Sequence, residues 1–339
     1  MPTPEKVLIT GGHEVGGLTT FAAGLSQGFA ALGIPSEVIT PGEIFRRWRD
    51  LRDPGVLKVL STTAVFAAPI ARRAICVAHG FPCAAYQGWM KAVGILGSFK
   101  LAELSGAAVV AVSHYSAIHL KSLVDLRVDA VIHNPLQPLF LEPFPGSSET
   151  RNYITYVGRL HVAKNLHRLM PAIRTLLRET PGLRACIVGE GEQRAALEEM
   201  AEGDSAVCFT GVQDSTGVRD WLRRTRIFIS GCEVEALGIS YLEALSQGCA
   251  VVMPASGGGL EVAPDLIGKA IHLLPLSFDP IEVLSVLRRV LAFDCAPVRM
   301  TAYRAEEVAK EYLRVDPSFS VAGKSVGRRP ALARDEVAS

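Results

Sequence analysis

KVLITGGHEVGGLTTFAAGLSQGFAALG, residues 6–33, runs from a strand through a glycine turn into a helix. KVLIT (6–10) is an apolar run of strand length. GGHEVGG (11–17) is glycine-rich, and LTTFAAGLSQGFAALG (18–33) carries apolar residues at helical spacing and stops at Gly33. A strand that passes through glycines directly into a helix is the opening of a parallel β-α-β unit. The alternation recurs outward from it. SEVIT (36–40), AICVAHG (74–80), AAVVAVS (107–113) and DAVIH (129–133) are further short apolar strands. Such strands, joined by helices, predict a doubly wound parallel sheet covered on both faces.

QPLFLEPFPGSSETRN (137–152) gathers Pro, Gly and Ser without periodicity and reads as a linker. Beyond it the pattern restarts. YITYVG, a helix near 165–179, RACIVG, a helix near 191–201, VCFTG, a helix near 217–224, RIFIS, a helix near 239–247 and CAVVMP follow in turn. The expectation is an α/β chain of two Rossmann-like, doubly wound domains, residues 1–145 and 150–298, facing across a cleft. In such sheets ligands sit beyond the carboxyl ends of the strands, so both domains would present loops to that cleft. MTAYRAEEVAKEYLRV (300–315) reads as a last helix, and 316–339 as a disordered tail.

The chain has 339 residues, 49% hydrophobic and 20% charged, a composition that fits two globular domains. Lys plus Arg is 35 and Asp plus Glu is 34, so no strong field favours nucleic acid. No apolar run reaches the length of a membrane span, and MPTPEKVLITGG lacks the layout of a signal peptide. The seven cysteines, at 76, 83, 186, 208, 232, 249 and 295, show no framework spacing. They predict reduced, mostly buried thiols and a cytoplasmic protein.

Four segments carry chemistry. In EALGISYLEALSQG (235–248), Glu235 precedes a helix starting near Ile239 and Glu243 lies about a turn inside it. The N–H groups at that helix start are a natural seat for a diphosphate. In YVGRLHVAKNL (156–166), Arg159 and Lys164 stand on the loop after a strand, where two cations suit a leaving diphosphate. Gly16 and Gly17 end the glycine turn after the first strand, which lets a phosphate or sugar approach the backbone. His79 ends AICVAHG at the edge of the cleft. Each piece alone is equally compatible with a solvated acid pair, a basic loop, a plain turn or a structural histidine.

Two rival chemistries fail. A triphosphate-binding loop needs Lys-Ser/Thr after its last glycine, where Leu18 stands. A dinucleotide fingerprint needs an acid at the end of the next strand, but SEVITP ends in Thr40-Pro41 and VCFTG in Gly211. No Asp-x-Asp and no His/Cys cluster of ligand spacing occurs, so no metal and no resident cofactor are expected.

In this order the motifs resemble the large retaining glycosyltransferase family often called family 4, which has the GT-B fold. The resemblance is dense over 153–262, through GRLHVAK, IVGEGEQ, EALGISYLEALSQG and VVMPASGGGLE. It is thinner in the first domain, resting on GGHEVGGLTTF, VAHGF and VSHYS. It implies a metal-independent hexosyltransferase that keeps the anomeric configuration, with the leaving diphosphate taking the acceptor proton. Residue by residue, it implies that Glu235 contacts the donor sugar near the reacting carbon, with Leu237, Gly238 and Ile239 lining the same sugar. Glu243 would hold the ribose hydroxyls and Glu190 approach the nucleotide. Arg159 and Lys164, with Gly16 and Gly17, would grip the diphosphate, and His79 would line the sugar pocket at the reacting centre. The last helix would cross back onto the first domain.

The chain departs from the family where Ile229-Ser230-Gly231-Cys232-Glu233-Val234-Glu235 replaces the common Pro-Ser, which adds Glu233 as a second acid. Glu235 keeps the spacing to Gly238 and Glu243. Asn134-Pro135 replaces a common Asn-Gly. The implied partners are a nucleotide-sugar donor and a sugar or lipid-linked acceptor, in cell-surface polysaccharide or glycolipid synthesis. FRRWRDLR (45–52) and GWMKAVGILGSFK (88–100) mix basic and apolar residues and suit a weak peripheral contact with an anionic membrane. A solvated face with core-facing apolar residues fits them equally. A non-catalytic nucleotide-sugar-binding protein and an epimerase on the same fold remain as alternatives.

Overall fold

A computed structural model describes residues 3–12, 16–80, 82, 88–141, 144, 151–293 and 295–318. The first domain holds the strands β1 (Lys6–Thr10), β2 (Ser36–Ile39), β3 (Val56–Ser61), β4 (Ala74–Ala78), β5 (Ala108–Ala111) and β6 (Ala130–Val131). Its helices are α1 (Gly17–Ala31), α2 (Trp48–Arg52), α3 (Trp89–Leu104) and α4 (His114–Val124). The second domain holds β7 (Tyr153–Val157), β8 (Arg184–Val188), β9 (Val207–Gly211), β10 (Thr225–Ile229), β11 (Ala250–Pro254) and β12 (Ile271–Leu274). Its helices are α5 (Leu166–Glu179), α6 (Arg194–Ala201), α7 (Ser215–Arg224), α8 (Ile239–Ser246) and α9 (Pro280–Leu291). The last helix is α10 (Ala305–Val315).

Both sheets are six-stranded and parallel, in the orders β2-β1-β3-β4-β5-β6 and β12-β11-β10-β7-β8-β9. The alternation of side chains along each strand explains why both faces need cover. In the first sheet Val7, Ile9, Val59 and Val77 pack under α1, while Leu8, Leu60, Cys76 and Val109 pack on the opposite face with Ile44, Phe99 and Leu120. In the second, Tyr156, Ile187, Ile229 and Val252 meet α5 and α9, and Phe228, Val251 and Met253 meet α8.

The order of each sheet reverses once: between β1 and β3 in the first domain, and between β7 and β10 in the second. At such a reversal the loops leave in opposite directions and open a crevice at the strands' carboxyl ends. The glycine turn after β1 stands at one reversal. The loops carrying Arg159, Lys164 and Glu235 stand at the other.

Several elements differ from the sequence reading. β3 and β12 escaped it. Lys58 interrupts the apolar run of β3, yet it is fully buried, with Nζ donating to the carbonyls of Asp53 (2.5 Å), Val56 (2.8 Å) and Arg72 (2.5 Å). Burial pushes this ammonium down to about 8. The strand expected at 129–133 shortens to Ala130–Val131. The final helix begins at Ala305, after a separate 3-10 turn at Thr301–Tyr303.

Helix α10 lies along α1, where the backbone of Ala305 comes so close that a Cβ at Gly28 would overlap its carbonyl oxygen. Asp316 continues onto the same domain and pairs with Arg73 at 2.7 Å, both side chains buried. His13–Val15, Cys83, half of the linker (142–143 and 145–150) and the tail from 319 onward lie outside the described residues. Cys76, Cys186, Cys232 and Cys249 are buried, while Cys208 and Cys295 are partly so. Among the described residues no helix is long and apolar enough to cross a membrane.

Candidate functional site at the facing strand ends

Lys164 ends a 3-10 turn, Val162–Lys164, on the loop after β7, and Glu235 stands on the loop after the adjacent β10. Their side chains meet at 2.7 Å. Burial disfavours the Lys164 ammonium, but the Glu235 carboxylate outweighs it and holds the group above its ordinary value. Nζ also reaches Cys232 Sγ at 3.5 Å, where burial raises the thiol to about 11 and keeps it neutral. The buried Tyr156 hydroxyl donates to the Arg159 carbonyl at 2.9 Å and feels the charges of Lys164, Glu235 and Arg159 together. Arg159 itself is exposed, with no hydrogen-bonding partner for its guanidinium among the described residues. One cation is thus held by an acid and the other is free to meet an anion.

The extra acid is tied elsewhere. Glu233 takes Arg168 at 2.9 Å, and Arg168 lies over the Phe278 ring. Glu235 is therefore the acid that faces the Lys164 loop.

Gly238 begins α8 in the left-handed conformation (φ +85°), and a Cβ there would collide with the Tyr241 ring. Tyr241 is fixed in turn, its hydroxyl donating to Ser230 Oγ at 3.0 Å. With glycine at the cap, the Tyr241 amide turns back to the Gly238 carbonyl at 2.9 Å, and among the described residues no side chain covers the amides of Ile239 and Ser240, which stay open to an anion. Leu237 is buried beside this turn and Ile239 partly so. Glu243 lies one turn inside α8, its carboxylate unpartnered among the described residues, and burial pushes it up to about 8. Glu190 follows β8, is exposed and pairs with Arg194.

Gly16 caps α1 and Gly17 is its first residue; a Cβ at either would meet nothing within 4 Å. His79 packs edge-on against Phe21 of α1, ring centroids 4.4 Å apart. Its Nε2 is buried without a partner among the described residues, and burial drives the imidazole down to about 3. It is neutral across the physiological range, able to exchange hydrogen bonds but not to act as a cation. Gly80 beside it faces Ala236, 3.5 Å from that Cβ to one built on Gly80. The structure thus brings the His79 loop against the Glu235 loop.

A second layer comes from VVMPASGGGLE, a segment to whose residues the sequence reading gave no role in the site. Gly257–Gly259 lie against the Glu235 loop: the Gly258 amide donates to the Glu235 carbonyl at 2.8 Å, and a Cβ at Gly258 would overlap the Ala236 carbonyl. The signal was present as three consecutive glycines after a strand. Glu261, three residues on, crosses the cleft and accepts the amides of His114 (2.7 Å) and Tyr115 (2.6 Å). Nothing local in the sequence pairs those segments. In the first domain, Thr10 Oγ1 donates to Ser61 Oγ at 3.0 Å, and Thr62 Oγ1 accepts the His79 amide at 3.3 Å.

Among the described residues no group of three or more His, Cys, Asp or Glu is arranged to hold a metal. Away from the cleft, α3 exposes Trp89, Met90, Val93, Leu101 and Leu104. Phe45, Trp48 and Phe66 are exposed as well, with the Phe45 and Phe66 rings 5.5 Å apart. Arg46, Arg49, Arg52 and Lys91 stand exposed on the same segments.

Residues 141–271 match the family model described as Glycosyl transferases group 1. A human phosphatidylinositol N-acetylglucosaminyltransferase chain is 31% identical over 149 residues, 43% of this chain and 31% of that protein. Its namesake in Arabidopsis thaliana is 26% identical over 281 residues, 69% of this chain and 63% of that protein. The chain thus matches less than two thirds of the length of either relative. Among solved structures, Anabaena Alr3699/HepE in complex with UDP aligns with a TM-score of 0.66 at 16% identity, covering 93% of this chain and 96% of that one.

Proposed function

From a chain with the GT-B fold, whose second domain is of the glycosyl transferases group 1 family, we infer a retaining hexosyltransferase that draws on a nucleoside diphosphate sugar. The observation that carries this reading is the Lys164–Glu235 pair, 2.7 Å across, beside a helix start that no side chain caps.

The donor diphosphate rests on the open N–H groups of α8 and between Arg159 and Lys164, with the Gly16–Gly17 turn facing it from the first domain. As the anomeric C–O bond breaks, negative charge grows on the departing phosphate oxygen, and both cations act most strongly at that moment. The acceptor oxygen bonds to the anomeric carbon on the face the diphosphate leaves. Its proton passes to a diphosphate oxygen, so configuration is kept. Glu235, with the backbone of Leu237, Gly238 and Ile239, holds the sugar hydroxyls, and the unpartnered Nε2 of His79 offers one further hydrogen bond. Glu243 takes the ribose, and Glu190 stands at the nucleotide. Arg159 and Lys164 supply the neutralisation that a divalent ion would otherwise give.

In this reading the acceptor lies on the first domain and is lipid-linked, and the protein works at the cytoplasmic face of a membrane. The apolar residues exposed on α3, with Phe45, Trp48 and Phe66, are flanked by Arg46, Arg49, Arg52 and Lys91. Each such cation near an anionic bilayer contributes about 1 kcal/mol. The two relatives named as phosphatidylinositol N-acetylglucosaminyltransferase subunits support the same class of acceptor.

Thermal shift with UDP, GDP and ADP hexoses, followed by assay of released nucleoside diphosphate with and without a lipid acceptor, tests the reading. A stabilising donor whose diphosphate is released only with acceptor supports it. Stabilisation without any release identifies a binding protein, and a changed sugar on an intact nucleotide identifies an epimerase. Cosedimentation with anionic but not neutral vesicles tests the membrane face, and indifference to both removes it.

A further inference from the structure

Glu261 belongs to the second domain, at the end of the 3-10 turn Gly258–Glu261, yet its carboxylate caps a helix of the first. Oε2 accepts the His114 amide at 2.7 Å and Oε1 accepts the Tyr115 amide at 2.6 Å, the first two N–H groups of α4. Ser113 Oγ takes the Ser116 amide at 3.0 Å, so the start of α4 is capped from both domains. Burial works against ionising Glu261, but His133 and the two amides outweigh it and hold the carboxyl below its ordinary value. At the other end of the same turn, the Gly258 amide donates to the Glu235 carbonyl at 2.8 Å. A Cβ at Gly257 would stand 2.7 Å from that carbonyl oxygen. No slack separates the turn from the Glu235 backbone.

We propose that Glu261 is a positioning residue that ties the loop carrying Glu235 to the first domain, so that cleft closure and placement of Glu235 are one event. The proposal rests on Glu235 serving the donor, but its physical content is mechanical and is read without turnover. When the domains part, the two amides lose their acceptor, the turn is released and the 235–238 backbone with it.

The test uses the full chain and the variants Glu261→Ala and Glu261→Gln. Amide hydrogen exchange is followed over segments 113–117 and 257–260, where the Gly258 amide donates to the Glu235 carbonyl, beside melting temperature. A carboxylate bonded to two amides protects them strongly, so Glu261→Ala is expected to speed exchange about tenfold or more in both segments. Glu261→Gln, which keeps one accepting oxygen, falls between. With a donor and acceptor in hand, kcat drops about tenfold, because the placement of Glu235 is lost. Faster exchange confined to 113–117 overturns the proposal, leaving Glu261 a simple helix cap. A uniform rise across the chain that follows melting temperature overturns it too. Coupled exchange in a protein with no transferase activity would uphold the linkage and reject the transferase reading instead.

Discussion

Lys164 and Glu235, 71 residues apart in sequence, form an ion pair 2.7 Å long across the point where the second sheet reverses its order. The pair is about a quarter exposed on each side, so it adds little to folding. Its consequence is electrostatic. A cation already held beside an acid can turn to a diphosphate without crossing the site.

Glu235→Gln and Lys164→Ala should each lower kcat by about 10²–10³-fold, the usual cost of removing one preorganised charge partner. Melting temperature should change by a few degrees at most. Steady-state kinetics beside a melting curve separates the two, and near-normal turnover in Glu235→Gln removes its role.

Glu243 makes a prediction with a definite sign. Burial raises its carboxyl to about 8, so the folded chain binds a proton that the unfolded chain releases near 4.5. The stability this contributes is whole below about pH 4.5 and is lost as pH climbs through 8. Glu243→Gln keeps the neutral form at every pH. It should melt with the parent at pH 5 and above it at pH 8.5, while binding nucleotide more weakly.

Gly258→Ala pushes a methyl into the Ala236 carbonyl. Overpacking of this kind costs about 1–3 kcal/mol, and here the strain falls on the Glu235 loop. Activity should fall further than stability predicts.

Gly17→Ala is its counterpart. A Cβ there meets nothing, and alanine favours the helix by about 1 kcal/mol over glycine. Melting temperature should hold or rise while donor affinity falls, if a phosphate approaches that backbone. Unchanged affinity would take the glycine turn out of the donor site.

Asp316 and Arg73 are buried together, and Arg73 Nη2 donates to Oδ2 at 2.7 Å. Asp316→Ala takes the carboxylate from the Arg73 guanidinium, which keeps its bond to the Pro54 carbonyl, at a cost of about 3 kcal/mol. Chemical denaturation should register that loss, together with release of the end of α10 from the first domain.

The sequence by itself determined the two parallel sheets, because a buried parallel strand must be apolar on both faces and that leaves a continuous run. It determined the loop that bears Glu235 as well, since Gly238 stands where a left-handed cap against Tyr241 admits no side chain. It failed at β3, where a lysine sits inside the run. Only the carbonyls of Asp53, Val56 and Arg72, brought together by folding, make that charge tolerable. Spacing to Gly238 and Glu243 singled out Glu235 in the sequence, while only tertiary structure shows the partners of the two acids, Arg168 for Glu233 and Lys164 for Glu235. Tertiary structure alone placed Glu261 on the amides of His114 and Tyr115, because a contact between separate domains follows from how they dock and leaves no period or spacing in the chain.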